Sequence, residues 1–201
     1  MKLRTFGVVI VLLAMAMATV AVGSNKDSKS IEGNRVCMIV PYKNYQDEEL
    51  DIPKELFEAK GAVVTIISSE SGFATGMSGV KTEVDGTCEK LNVGDFDAIV
   101  FIGGLGVIEY HDDPNAHAIA QQAIQQDKIL AAICLAPVIL ANAGVLEGKR
   151  ATVLSGAERL ERKGGTYVNE PVVVDGDIIT ANGPPAAEEF AREIIMALGN
   201  M

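Results

Sequence analysis

Tryptophan is absent from the 201 residues, and only 5% of them are aromatic. Nothing indicates a platform for stacking bases or sugar rings. Basic residues are the scarcer sign, 17 Lys+Arg against 27 Asp+Glu, for a formal net charge of −10. Residues 1–30 hold Lys2, Arg4, Lys26 and Lys29 against Asp27, so the rest of the chain stands at −13. An acidic body repels phosphate backbones, and no nucleic-acid partner is expected. Three cysteines do not make a disulfide scaffold. Two histidines, His111 and His117, are too few for a multi-histidine metal site, and no metal or other cofactor is expected. What the chain does have is an apolar fraction of 48%, which excludes disorder for its bulk.

The N-terminus combines a short positive start (1–4), an uncharged apolar run (6–22) and a polar exit (24–30). That is the layout of a secretory signal, with a cleavage site expected around 21–23. The run of about 17 residues is also at the lower edge of what spans a bilayer, so an uncleaved anchor stays open. Either way the globular part is expected outside the cytoplasm, exported and possibly tethered. The expected organisation is signal or anchor at 1–23, linker at 24–33 and one domain at 34–201.

From residue 35 onward, short β-branched runs alternate with amphipathic stretches. Strands are expected at 36–40, 63–67, 98–102 and 129–133, and further ones at 151–154, 172–174 and 178–180. Asp175-Gly176-Asp177 marks a hairpin between the last two. Helices are expected at 47–60, with Pro53 marking a kink or first turn, at 114–126, capped by Asp112 or Asp113, at 136–143, and at 185–198. Residues 72–93 read as a turn-rich excursion with a small hairpin. Strands apolar throughout and separated by helices mean a mostly parallel sheet covered on both faces, an α/β doubly wound fold.

Ligand sites in such folds lie off the carboxyl ends of the strands, and three features fall there. Cys134 follows the strand ILAAI and precedes a helix, with Ala132 and Ala136 two places to either side. This is the pattern of a nucleophile elbow carrying sulfur, where a helix N-terminus would favour the thiolate; a buried inert cysteine is the alternative. Gly103-Gly104-Leu105-Gly106 follows the third strand and lacks the GxGxxG spacing of a dinucleotide site. Its amides could serve an oxyanion, or it could be a plain turn. Asp47-Glu48-Glu49 follows the first strand. It either favours a helix start or sends one carboxyl inward to Cys134, where burial and a thiolate neighbour would raise its pKa. Cys37 and Cys88 could pair in an oxidising compartment, or stay inert.

Together these blocks resemble the ThiJ/PfpI family of the class I glutaminase-like superfamily, which includes the Parkinson-disease-associated deglycase and the PfpI-type peptidases. The resemblance covers residues 34–199. It rests on Glu49 four residues before Pro53, DFDAIVFIGGLG (95–106), AAICLAPVILANAGVLEGKRAT (131–152) and VVVDGDIITANGPPAAEEFAREI (172–194). It implies a flavodoxin-like fold, Cys134 as the reactive cysteine, Glu49 as its carboxyl partner, and the Gly104 and Leu135 amides as an oxyanion-binding pair, with Gly103 lining the site. It also implies a homo-oligomer, dimer or larger. The chain departs from the family's pattern where histidines are concerned. Peptidase-type members place one directly after the cysteine, where this chain has Leu135. Deglycase-type members carry one after the following strand, where it has Leu154 or Ser155. His111 and Tyr110, in the loop after the glycines, are left as candidate site-lining groups.

The first expectation for function is an enzyme acting on small reactive carbonyls, glyoxalase- or deglycase-like. A redox or stress sensor working through oxidation of Cys134 is the alternative, and a peptidase or amidase comes third because the adjacent histidine is missing. The expected partner is a small-molecule or peptide substrate, with a membrane involved only if the N-terminal segment is uncleaved.

Overall fold

Every residue of the first strand but its leading arginine is buried, because both faces of the sheet it joins are covered. The computed structural model describes residues 30–201; the apolar segment at 1–23 and residues 24–29 of the expected linker lie outside the described residues. Elements in chain order are β1 (Arg35–Ile39), β2 (Lys43–Tyr45), α1 (Asp47–Ala59), β3 (Val63–Ser68), β4 (Gly72–Gly76), β5 (Lys81–Val84), β6 (Gly86–Thr87), β7 (Ala98–Phe101), α2 (Ile108–His111), α3 (Pro114–Gln125), β8 (Ile129–Ile133), α4 (Pro137–Asn142), β9 (Arg150–Ala151), α5 (Ala157–Arg162), β10 (Thr166–Tyr167), β11 (Val172–Asp175), β12 (Ile178–Ala181) and α6 (Ala187–Leu198).

Seven strands form the main sheet in the order β11-β12-β8-β7-β1-β3-β6. All neighbours run parallel except β11, which returns antiparallel on β12. Side-chain alternation along each strand divides the core in two. Val36, Met38 and Val40 join Val100, Ile133, Phe57 of α1 and Phe190 of α6 on one face. Cys37 and Ile39 join Ile99, Leu130, Ile119 of α3 and Leu140 of α4 on the other. The doubly wound α/β architecture is therefore present, and the flavodoxin-like order of its strands brings the carboxyl ends of β1, β7 and β8 side by side.

Local details differ from the sequence pattern where pairing, not composition, decides. Of the run at 151–154 only Ala151 lies in a strand, β9, which pairs with β10 in a separate two-stranded ladder. The excursion at 72–93 contains the β4–β5 hairpin. It also captures β2, which pairs with β4 to make a three-stranded sheet over the carboxyl end of β1. Asp113, rather than Asp112, caps α3, accepting from the amides of Asn115 and Ala116. Pro53 sits inside α1, which runs unbroken through it; the missing N–H leaves the Glu49 carbonyl without its helical donor. The end of the expected linker is docked on the domain. Ile31 is buried and its amide donates to the Lys60 carbonyl. Among the described residues no helix is long and apolar enough to cross a membrane.

Helix α1 carries Glu49 and is anchored by Phe57, which is wholly buried. Replacing Phe57 with alanine should lower unfolding free energy by about 3–5 kcal/mol, measured by urea denaturation. A cost near that of a surface substitution would show that α1 is not anchored there.

Candidate active site

Cys134 sits one residue beyond β8 with φ of +67°. For a residue with a Cβ this left-handed conformation costs about 1–2 kcal/mol. Two backbone bonds hold it there. The Cys134 amide donates to the Ala181 carbonyl at the end of β12, at 2.9 Å, and its carbonyl accepts from the Leu154 amide at 2.8 Å. The strained turn is thus fixed from both sides, by the neighbouring strand and by the segment after β9.

Glycines make room beside it. A Cβ on Gly103 would lie 2.5 Å from Cys134 Cβ, 2.6 Å from Glu49 Oε2 and 2.9 Å from the Ile133 carbonyl. Gly104 has φ of +106° and packs against the backbone of Asn44, Tyr45 and Gln46. The Gln46 amide donates to the Gly103 carbonyl at 3.1 Å. The glycine loop is therefore stitched to the start of α1, and this places Glu49, in the first turn, against the loop and the elbow.

Glu49 is 0% exposed. Its Oε2 accepts from the Gly103 amide at 3.1 Å, while Oε1 has no conventional hydrogen-bond partner. The Cys134 thiol adjoins this carboxyl. Burial raises the Glu49 pKa from 4.5 to about 7, outweighing the lowering by Cys134 and the Gly103 amide. Burial, with the Glu49 charge, likewise pushes the Cys134 thiol up to about 12, although the Gly104 and Leu135 amides pull it down. This corrects the expectation of a resting thiolate. The amides point at sulfur as a helix start should, but desolvation and a carboxylate neighbour outweigh them. Both shifts favour the protonated forms of the pair.

The structure brings Cys134, Glu49, Gly103, Gly104 and Leu135 together, and it separates the two remaining candidates. Tyr110 is buried on the opposite side of the β1 end, its hydroxyl donating to the Val40 carbonyl at 2.9 Å. His111 is buried against Leu135. Its Nε2 bonds the Leu135 carbonyl at 3.2 Å and its Nδ1 lies 3.4 Å from an Arg159 guanidinium nitrogen. A carbonyl only accepts and a guanidinium only donates, so His111 is the neutral Nε2–H tautomer with both nitrogens occupied. Burial and the Arg159 charge hold its pKa below the usual histidine value. Sequence reading passed over Arg159 altogether, although the cation-rich run at 159–163 stands out in so acidic a chain. Cys37 and Cys88 are free, buried thiols, both raised by burial. Among the described residues no group of His, Cys, Asp and Glu could hold a metal ion.

The DJ-1/PfpI family model matches residues 34–197. The chain belongs to the DJ-1/PfpI family. MJ0967 of Methanocaldococcus jannaschii is 34% identical over 200 residues, 98% of each chain. A Pyrococcus horikoshii protein named deglycase PH1704 is 34% identical over 155 residues, 77% of this chain and 93% of its own. The crystal structure of a ThiJ/PfpI domain protein from Brachyspira murdochii superposes with a TM-score of 0.82 at 34% identity, covering 85% of this chain and 99% of that one. Membership of the DJ-1/PfpI family agrees with the sheet order and with the motif blocks that carried the resemblance.

Two stability measurements test this geometry. Because the folded pKa of Glu49 lies above its unfolded value, the folded state holds the extra proton, and stability falls as pH rises from about 4.5 to about 7. Glu49→Gln should therefore stabilise the protein by up to about 3 kcal/mol above pH 7 and by little at pH 5, as read from melting temperatures. A pH-independent difference would contradict the raised carboxyl. Separately, Cys134→Gly should be more stable than Cys134→Ala by about 1 kcal/mol, since only glycine is free of the left-handed strain. The reverse order in denaturant titration would remove the strain.

Proposed function

We propose that the protein is a cysteine-dependent enzyme acting on small reactive carbonyl compounds, in the manner of a glyoxalase or deglycase. The observation that carries this reading is the pairing of Cys134 with a buried carboxyl whose pKa is about 7. A general base works best when its pKa lies near the operating pH. Glu49 titrates where a histidine would, so the histidines missing at 135 and 154–155 are not needed for proton transfer. The deglycase name of the Pyrococcus horikoshii relative supports the same reading.

The chemistry follows from the pair. As Cys134 sulfur attacks a carbonyl carbon, the thiol proton passes to Glu49 and a C–S bond forms. The carbonyl π electrons move to oxygen, where the Gly104 and Leu135 amides stabilise the charge. Protonation of that oxygen gives a hemithioacetal. With an α-oxoaldehyde, Glu49 then moves a proton from the carbon bearing sulfur to the neighbouring carbon. Water hydrolyses the resulting thioester, releasing a 2-hydroxy acid and the thiol. The net reaction adds one water and needs no external oxidant or reductant. A peptidase reading is weaker, because His111 has both nitrogens committed and offers no base to a leaving amine. Large exposed apolar groups at Leu105, Ile108 and Leu154 rim the site and suit the homo-oligomer that the family resemblance implies, and export by the N-terminal segment remains part of this reading.

Methylglyoxal turnover tests the proposal. Wild-type kcat/KM should rise with pH to a plateau, half-maximal near pH 7 as Glu49 loses its proton. Glu49→Gln should lose a factor of about 10²–10⁴ together with that inflection, and Cys134→Ala should show no turnover. Equal rates in wild type and Cys134→Ala would overturn it.

A further inference from the structure

In a chain of net charge −10, one surface gathers cations without pairing them. Arg159, Arg162 and Lys163 lie within five residues at α5, all exposed. None of the three is in an ion pair among the described residues. They face two adjoining clefts. One, of about 340 Å³, is lined by Ile108, His111, Leu135, Ser155 and Arg159, with Glu158 the one carboxylate among its lining groups. The other, of about 390 Å³, is lined by His111, Asn142, Arg159, Arg162 and Lys163, with Asp112 the one carboxylate. Asp112 is engaged by the Asn142 side-chain amide at 3.3 Å.

Arg159 belongs to both clefts and is held differently from its neighbours. Its guanidinium donates to Nδ1 of His111, a buried and neutral acceptor. A carboxylate in that place would orient the arginine and cancel its charge. A neutral imidazole orients it and leaves the charge available. His111 in turn donates to the carbonyl of Leu135, whose amide faces the Cys134 sulfur. An oriented cation with no ion pair among the described residues therefore stands two hydrogen bonds from the elbow, on the wall of a cleft that Leu135 also lines.

We propose that this cleft binds the anionic end, a carboxylate, of the carbonyl substrate, with Arg159 as the recognising group. The inference rests on the reading of Cys134 as the nucleophile and deepens it from reactive carbonyls in general to carboxylate-bearing ones. Arg159 suits this because a guanidinium grips a carboxylate through two parallel N–H bonds, with Arg162 and Lys163 adding attraction at longer range.

The experiment compares two alkylating reagents of nearly equal size and different charge, iodoacetate and iodoacetamide, on the full-length protein. The rate is read as mass-tagged Cys134 peptide. The iodoacetate-to-iodoacetamide ratio cancels any change in the thiol that both reagents feel. We expect Arg159→Gln to lower this ratio about fivefold, Arg159→Lys to restore part of it, and added salt to lower it in the wild type but little in Arg159→Gln. An unchanged ratio in Arg159→Gln, or rates that fall equally with both reagents, would overturn the inference while leaving Cys134 as nucleophile. A Cys134 inert to both reagents would overturn the nucleophile itself and this inference with it.

Discussion

A carboxyl group buried against a thiol sets the terms for the rest of this structure. Glu49 is fully buried, keeps one backbone amide at Oε2 and adjoins the Cys134 thiol. An isolated carboxylate so placed would be too costly to keep ionised. The protein answers by raising its pKa to about 7 and by supplying a thiol with which it can share a proton. In the function proposed above, reactivity comes from moving a proton between the two groups, not from a standing negative charge on sulfur.

Much of the fold exists to hold those two side chains together. Glu49 and Cys134 are 85 residues apart in the chain. They meet because β1, β7 and β8 are parallel neighbours whose loops emerge at one edge. The glycine loop fills the space between them, and no side chain fits at Gly103. The β2 segment lies over the loop through the contact of Tyr45 with Gly104, and the Tyr45 hydroxyl meets Thr82 Oγ1 at 2.8 Å on the small sheet. The left-handed Cys134 and the buried Glu49 both cost stability, and the two apolar faces of the main sheet offset that cost.

The parts of this arrangement that local pattern controls were legible in the sequence. Alternating apolar runs marked β1, β3, β7 and β8, and the Ala-x-Cys-x-Ala spacing marked the elbow. Glu49, Gly104 and Leu135 came through family resemblance more than through any local signal. What stayed hidden depends on long-range pairing. Lys43–Tyr45 has too little apolar character to announce β2, which exists because β4 is there to receive it. His111 was no more than a candidate site-lining group, because nothing near it in sequence shows that Leu135 and Arg159 close around it. Arg159 was overlooked because its significance lies in its partner: an unremarkable surface arginine becomes an oriented cation once a buried neutral histidine holds it. The protonation state of the sulfur was misjudged for a related reason. The helix start was visible in the sequence, while the degree of burial that outweighs it was not.

Burial, opposed by the Cys134 thiol and the Gly103 amide, raises the Glu49 pKa to about 7. Carbon-13 NMR of protein labelled at the glutamate carboxyl carbons measures this directly. One glutamate signal, absent from Glu49→Gln, should have a midpoint near pH 7 that rises when Cys134 is replaced by alanine. A Glu49 signal that titrates with the surface glutamates near 4.5, or one indifferent to the loss of Cys134, would contradict it.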